Sequence, residues 1–237
     1  ATIVQFKTSL GDFEVNLFDD ATPITVNNFL QYVEAQSYHQ TIIHRLDEGF
    51  VLQGGGYSID NDIQLTRLSR LSPIGNEPVY SNVRGTIAMA KVSGDANSAT
   101  NHWFFNLDDN SQILDAQNGG FTVFGEVVGD GLMVLDALAQ HATFVMDGVS
   151  AELPLRHYDR DDLQNNVSLV HDNFLIIEQV AVTDTTINSA ETLSPVRNTL
   201  AQRSDSGMLS MMTFMLLLGL GLYRRLCAVN VCRSHKG

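Results

Sequence analysis

The body of this chain has no cysteine, because Cys227 and Cys232 both follow a late hydrophobic segment. Residues 1–226 therefore form no disulfide, a usage that is compatible with an exported protein. Basic residues are also scarce, with 14 Lys and Arg against 27 Asp and Glu. The excess falls on residues 1–200, which hold 26 acidic and nine basic side chains, whereas residues 201–237 hold one and five. Since nucleic acid binds clustered Lys and Arg, the acidic body argues against a DNA or RNA partner.

Metal-binding and nucleotide-binding patterns are missing as well. The seven histidines show no zinc-site spacing, and His39 and His44 have no Cys or carboxylate partner in a recognised array. Residues 54–56 are three glycines, but no Gly-Lys-Ser/Thr follows them, so a phosphate loop is not indicated. We therefore expect no metal and no cofactor.

The first 36 residues predict a hairpin followed by a helix. Residues 3–7 and 13–17 are apolar at alternate positions on either side of a Ser-Leu-Gly turn, which indicates two antiparallel strands with one buried face. Thr22 and Pro23 then suit a helix N-cap and first turn, and apolar residues recur at helical spacing to about residue 36.

Short apolar runs dominate the remaining body and indicate a mainly β architecture. They stand between Gly- and Asn-containing turns at residues 42–43, 50–53, 86–90, 103–107, 121–128 and 174–182. Leucines recurring at helical spacing predict a second helix over about residues 130–140. Many short strands with two helices predict a closed barrel that those helices cap.

The last quarter of the chain changes character twice. Residues 184–206 are rich in Ser, Thr, Asn and Asp without periodicity, and we interpret them as a linker. Residues 207–223 carry no charge, are at the short end of what spans a bilayer, and are followed by two arginines. We predict a domain over 1–183, a transmembrane or sorting helix over 207–223 and a basic tail over 224–237. Both a permanent anchor and a cleaved tail stay open, and the positive-inside rule places the domain in the periplasm or cell envelope.

The most informative stretch is residues 44–56, His-Arg-Leu-Asp-Glu-Gly-Phe-Val-Leu-Gln-Gly-Gly-Gly. It resembles the signature of the cyclophilins, in which an Arg, a Phe, a medium apolar residue and a Gln before glycines form one wall of a proline pocket. Residues 85–106 are similar to the central strand pair of that family, and residues 114–127 to its closing segment. The resemblance covers about residues 2–183. It implies a closed, antiparallel, eight-stranded barrel capped by two helices, with peptidyl-prolyl cis/trans isomerase activity on proline-containing polypeptides.

The implied reaction needs no nucleophile and no metal. Rotation about an X-Pro bond breaks amide resonance, a barrier of roughly 18–20 kcal/mol. A donor aimed at the prolyl nitrogen helps, because that lone pair is available only in the twisted transition state. Arg45 suits this catalytic role, since a guanidinium is always charged and carries several donors in a rigid fork. Gln53 is the second predicted catalytic residue, holding either the guanidinium or a substrate carbonyl.

The resemblance also nominates the substrate-binding residues. The apolar seat for the proline ring is formed by Phe50, Val51, Phe104, Leu114 and Phe121. Ala90 and Lys91 fall where the strand of the family contacts the peptide backbone, and His102 and Ile113 complete the set.

Three of these positions depart from the family pattern. His102 stands where the family usually has Gln, which changes the hydrogen bond to the substrate. Phe121 replaces a His or Tyr and removes a polar tip from the pocket rim. Ile113 replaces the Trp of cyclosporin-sensitive members, so we expect weak cyclosporin binding.

A rival interpretation from another class stays open. The chain could instead be a cyclophilin-fold module that binds proline-containing segments, or shields unfolded chains, with little turnover. His102 and Phe121 favour this module, whereas Arg45, Phe50 and Gln53 together favour the enzyme. As an enzyme, we expect a monomer that assists the folding of exported proteins and contacts a membrane through its C-terminal helix.

Overall fold

A computed structural model describes residues 1–146, 148–186 and 193–201 of the chain. The chain divides into two compact units, residues 1–198 and 199–237, and only residues 199–201 of the second are described. The predicted hydrophobic helix at 207–223 and the basic tail at 224–237 lie outside the described residues. No helix within the described ranges is long and apolar enough to cross a membrane.

Four α-helices are described in the first unit. Their bounds are α1 Pro23–Glu34, α2 Ser111–Leu114, α3 Gly131–Leu138 and α4 Arg160–Gln164. The two helices predicted from the sequence are therefore confirmed as α1 and α3. Thr22 is the N-cap residue of α1, but its side chain makes no capping hydrogen bond. The carboxylate of Glu77 accepts instead from the backbone N–H groups of Ile24 and Thr25, at 3.2 and 2.9 Å.

The protein is mainly β, as predicted. The strands are β1 Ile3–Thr8, β2 Gly11–Leu17, β3 Thr41–Ile42, β4 Arg45–Asp47, β5 Val51–Gly54, β6 Tyr57–Ile59, β7 Leu65–Arg67, β8 Thr86–Met89, β9 Trp103–Asn106, β10 Val123–Val128, β11 Ala142–Met146, β12 Ser150–Leu155 and β13 Ile176–Asp184. Eleven of them form one sheet in the order β4-β5-β9-β8-β10-β2-β1-β13-β3-β6-β7, and β11 and β12 form a second sheet of two strands.

The closed barrel of eight strands stays a prediction, because the described pairings establish a mainly β sheet whose order runs from β4 to β7. The strand number exceeds eight partly because residues 41–59 form four short strands, β3 to β6, instead of two continuous ones. Gly55 has a φ of +76° in this segment, a conformation that interrupts a strand.

Strand alternation separates two apolar groups on the two faces of the sheet. Trp103 and Phe105 on β9 join the main core, which also contains Phe6, Phe13 and Phe29. The residue between them, Phe104, belongs to a different cluster. Successive side chains of a strand point to opposite faces, so Phe104 lies on the face away from the main core.

The hairpin of β11 and β12 was not predicted from the sequence. Its Phe144, Leu153 and Leu155 are buried in a third cluster, together with Ile42 and Phe174. A bridge between Leu155 and Phe174 ties the hairpin to the segment that precedes β13. The buried apolar side chains of the hairpin therefore fix it to the domain. Its strand β12 lies next to β4.

Part of the segment interpreted as a linker packs against the domain. Ser81 N donates to Val196 O at 2.8 Å, and Asn198 N donates to Val79 O at 3.0 Å. The side chain of Asn198 is 1% exposed and donates to Asp115 O at 3.0 Å. Residues 193–198 thus belong to the first compact unit, whereas the domain limits given above remain a prediction.

Candidate active site

A row of paired residues runs across four neighbouring strands. Arg45 on β4 pairs with Gln53 on β5, and Gln53 pairs with Phe104 on β9. Phe104 pairs in turn with Ala88 on β8. Directly paired residues share a face, and neighbouring strands lie about 4.8 Å apart. The fold therefore places Arg45 about 10 Å from Phe104 on one face, although the two residues are 59 positions apart in the sequence.

An apolar cluster lies on the same face and is called the pocket cluster here. Its buried members are Phe18, Val51, Ala88, Phe104, Leu114 and Val123. Phe50, Ala90 and Phe121 are only partly buried and pack against it, so that the cluster has an accessible side. The rings of Phe104 and Phe121 meet edge to face, with centroids 5.8 Å apart. Six predicted binding residues are thus brought together: Phe50, Val51, Ala90, Phe104, Leu114 and Phe121.

Two buried asparagines hold the turn that carries Phe50. Asn110 donates through its side-chain amide to Phe50 O at 2.8 Å and to Asn106 Oδ1 at 2.9 Å. Leu107 N also donates to Phe50 O, at 2.9 Å. Because one carbonyl receives two donors, the backbone of Phe50 is fixed beside the pocket cluster. Sequence analysis did not identify these asparagines as supports.

The Arg45 guanidinium is held by two carboxylates. Its Nε donates to Glu152 Oε2 at 2.8 Å, and its Nη2 donates to Asp47 Oδ2 at 2.7 Å. Nη1 has no partner in the described part of the chain. The side chain is 32% exposed. The arginine is therefore charged, oriented and accessible, with a donor group left over for a ligand.

Gln53 does not hold this guanidinium. Within the described ranges its side-chain amide has no hydrogen-bond partner, and the holding role falls to Asp47 and Glu152. Asp47 lies two residues along β4 from Arg45, so strand alternation alone could have identified it. Glu152 lies 107 residues away, and no sequence pattern connects it with Arg45.

His102 packs against other aromatic rings. Its ring centroid lies 5.1 Å from that of His44 and 6.4 Å from that of Tyr57. Burial, with help from the positive charges of Arg70 and Arg67, lowers the pKa of His102 to about 4. Burial also lowers the pKa of His44 to about 3, with His102 and Arg45 adding to the effect. Both imidazoles are therefore neutral near pH 7.

Lys91, two residues after β8, contacts the loop at the rim of the pocket. Its Nζ donates to Asn118 O at 2.8 Å and to Gly120 O at 2.7 Å, and it lies 4.8 Å from the centroid of the Phe121 ring. Burial lowers the pKa of Lys91 to about 8. Lys91 thus fixes the loop before Phe121 by hydrogen bonds and a cation–π contact.

Ile113 is exposed beside the pocket cluster's Leu114 in the sequence. It sits on the short helix α2 with 55% of its surface exposed, and it is not a member of the pocket cluster. Its neighbour Leu114 is 5% exposed and belongs to that cluster. Leu114 is thus buried in the pocket cluster, whereas the binding role of Ile113 stays a prediction. Within the described residues, no group of three or more His, Cys, Asp and Glu side chains is placed to hold a metal ion.

This arrangement combines a small apolar seat with an oriented cation at its edge. Such a site suits the binding of a proline ring and the donation of a hydrogen bond, and it matches the chemistry of an enzyme that rotates X-Pro bonds. Comparison with known families agrees. Residues 3–159, more than half of the chain, match the family described as "Cyclophilin type peptidyl-prolyl cis-trans isomerase/CLD".

The chain belongs to the cyclophilin family of peptidyl-prolyl cis-trans isomerases. It is 40% identical over 147 residues to peptidyl-prolyl cis-trans isomerase B of Escherichia coli, a match that covers 60% of this chain and 86% of that protein. It is 37% identical over 145 residues to the peptidyl-prolyl cis-trans isomerase of Acinetobacter baylyi, covering 60% and 74%. With relatives this similar, the protein is a peptidyl-prolyl cis-trans isomerase.

A solved structure shares the fold. A cyclophilin-type isomerase of Cryptosporidium parvum, crystallised in the presence of the dipeptide Ala-Pro, superposes with a TM-score of 0.55 at 21% sequence identity. The match covers 77% of this chain and 99% of that one. This likeness supports a mainly β, cyclophilin-like sheet for the chain.

Proposed function

We propose that this isomerase lowers the rotation barrier by donating a hydrogen bond from Arg45 to the prolyl nitrogen of the twisted substrate. The observation that carries the proposal is the state of the guanidinium. Nε and Nη2 are engaged by carboxylates, Nη1 is without a partner among the described residues, and the group lies on the same face as the pocket cluster.

The geometry favours the transition state over either ground state. In a planar X-Pro bond the nitrogen lone pair is delocalised and accepts poorly, whereas in the twisted bond it becomes localised. A donor that gains its partner only at that point lowers the barrier without tightening the binding of substrate. Arg45 needs no proton transfer for this, because it keeps its charge throughout.

The remaining site residues take binding roles in the same proposal. The ring of proline fits against Phe104, with Phe50 and Phe121 at the accessible side of the cluster. Gln53, which has no side-chain partner in the described ranges, offers its amide to a peptide carbonyl. Ala90, whose backbone N–H donates to His102 O at 3.0 Å, lies where the substrate backbone passes.

Two single variants separate the binding role from the rate role. Phe104→Ala should weaken the affinity for an Ala-Pro peptide strongly, because it removes the buried ring against which the proline ring packs. Arg45→Ala should leave affinity close to that of the parent and reduce turnover. Exchange spectroscopy on the peptide measures both quantities. If Arg45→Ala weakened affinity and lost rate only in proportion, the proposal would fail and the binding module would be favoured.

We further propose that the enzyme acts on exported, proline-containing clients while attached to the cell envelope. The support lies in the sequence, where an uncharged segment at 207–223 precedes Arg224 and Arg225. The intact chain expressed in a bacterium should then sediment with membranes, and a chain ending near residue 206 should not. Recovery of the intact, unprocessed chain in the soluble fraction would contradict this localisation.

A further inference from the structure

The hairpin of β11 and β12 contributes a charged side chain to the active site. Glu152 on β12 accepts from Arg45 Nε at 2.8 Å, and the two side chains are 42% and 32% exposed. Asp47 accepts from Nη2 of the same guanidinium at 2.7 Å. Two carboxylates from different parts of the chain therefore fix two of the three guanidinium nitrogens.

The position of Glu152 is set by buried neighbours. Leu153, the next residue on β12, is 1% exposed, and Leu155 is 3% exposed. Both pack in the third cluster with Phe174, which also bridges to Leu155. Tyr57 adds a link to the tip of the hairpin by donating from its hydroxyl to Gly148 O at 3.3 Å. The carboxylate is thus carried by an element whose apolar side is anchored in the domain.

We propose that Glu152 is a positioning residue for the isomerase reaction. It fixes the plane of the Arg45 guanidinium so that Nη1, which has no partner among the described residues, is presented to the substrate. The proposal rests on the role given to Arg45 under Proposed function. It extends that role by assigning the orientation of the donor to a residue outside the signature at 44–56.

The physical reason is the flexibility of an arginine side chain. An Arg has several rotatable bonds, and a free guanidinium samples orientations in which Nη1 points away from the substrate. A charge-assisted hydrogen bond at Nε selects one orientation before the substrate arrives. When Glu152 is removed, only part of the population keeps the productive orientation, although Asp47 still holds Nη2. Turnover should therefore fall by about threefold to tenfold, while the apolar seat binds the peptide as before.

The test measures turnover and peptide affinity by exchange spectroscopy for Glu152→Ala and Glu152→Gln. Glutamine keeps an acceptor oxygen at the same distance but has no charge, so it should restore turnover to within about twofold or threefold of the parent. Affinity should be unchanged in both variants. Asp136→Ala is the matched control, because Asp136 pairs with Arg84 at 2.9 Å with similar exposure, 45% and 41%. This control should leave turnover unchanged.

Repeating the Glu152→Ala change in the Arg45→Ala variant separates the positioning role of Glu152 from the role proposed for Arg45. In Arg45→Ala, the further change Glu152→Ala should have no effect on turnover, because Glu152 acts only through Arg45. If Arg45→Ala alone leaves turnover unchanged, the proposed function fails. If Arg45→Ala lowers turnover but Glu152→Ala does not, the positioning role is overturned alone. Equal losses from Glu152→Ala in both backgrounds, or a weaker peptide affinity in Glu152→Gln, would also overturn it and indicate a structural role for the hairpin.

Discussion

Acidification should destabilise this protein through two neighbouring histidines. His44 and His102 have pKa values lowered to about 3 and about 4, chiefly by burial. The unfolded chain binds a proton at each imidazole near the ordinary value of 6.5, whereas the folded protein does not. Between pH 6.5 and the folded pKa values, the unfolded state therefore holds more protons. The free energy of unfolding must then fall as the pH falls through that window, and it is unaffected by these groups above it.

The size of the effect follows from the shifts. Each imidazole contributes a slope of up to about 1.4 kcal/mol per pH unit within its window. At about pH 4.5, two units below the ordinary value, each site has lost about 2.5 kcal/mol. Both folded imidazoles are still mostly neutral at this pH, so the two losses add. We expect a combined loss of about 5 kcal/mol, a large share of the stability of a typical domain.

The assay is denaturant unfolding at a series of pH values from about 7.5 to about 4.5. His102→Gln removes one of the two sites and should reduce the acid-induced loss of stability to about half that of the parent. His39→Gln, at an exposed position, is the matched control for the loss of an imidazole. An identical pH dependence for His102→Gln and the parent would show that burial of this pair does not govern acid stability.

Three further changes test the packing around the site, each by its free energy of unfolding and by peptide affinity. Gly55→Ala should lower the free energy of unfolding by more than about 2 kcal/mol, because φ is +76° and an added Cβ would collide with Asn101 O. Gly49→Ala, with open space around the added Cβ, should lower it by about 1 kcal/mol. Equal losses in the two variants would refute the argument from the collision. Lys91→Met keeps the aliphatic stem but loses two hydrogen bonds to the loop before Phe121, so the affinity for the peptide should fall by about twofold to tenfold. An unchanged peptide affinity would show that these hydrogen bonds do not support the pocket. Asn198→Ala should lower the free energy of unfolding by about 1 to 3 kcal/mol, because the carbonyl of the buried Asp115 loses a donor. An unchanged free energy of unfolding would indicate that residues 193–198 do not unfold cooperatively with the domain.

Local patterns identified the elements with a clear period. The hairpin of β1 and β2, the helix α1 and the helix α3 follow directly from alternation and helical spacing. The four short strands in residues 41–59 were harder to predict, because strands of two to four residues carry no measurable period. The hairpin of β11 and β12 was not predicted for another reason. Its alternation is weak, since Val145 is 73% exposed, and its stability comes from distant partners such as Phe174.

The site residues fall into the same two groups, those that a local motif identifies and those whose role depends on distant contacts. The resemblance at residues 44–56 and 85–106 identified Arg45 and most of the pocket cluster, because contiguous motifs carry those residues. It gave Gln53 either the guanidinium or a substrate carbonyl to hold, and in the structure the guanidinium is held by Asp47 and Glu152. Contact between residues 107 positions apart depends on how the hairpin packs, and one sequence contains no signal for it. The exposure of Ile113 likewise depends on the direction of α2, which the sequence does not specify.

The central claim is that Arg45 acts on the rate and not on binding, and turnover of Arg45→Ala at saturating Ala-Pro peptide tests it most directly. A charge-assisted hydrogen bond is worth roughly 1.5 to 3 kcal/mol, so its loss should slow turnover by about tenfold to a hundredfold. Arg45→Lys should recover only part of this, since a point charge does not reproduce the fork. A melting curve controls for folding. We predict a folded variant with near-normal affinity and strongly reduced turnover, and turnover equal to that of the parent would contradict the account.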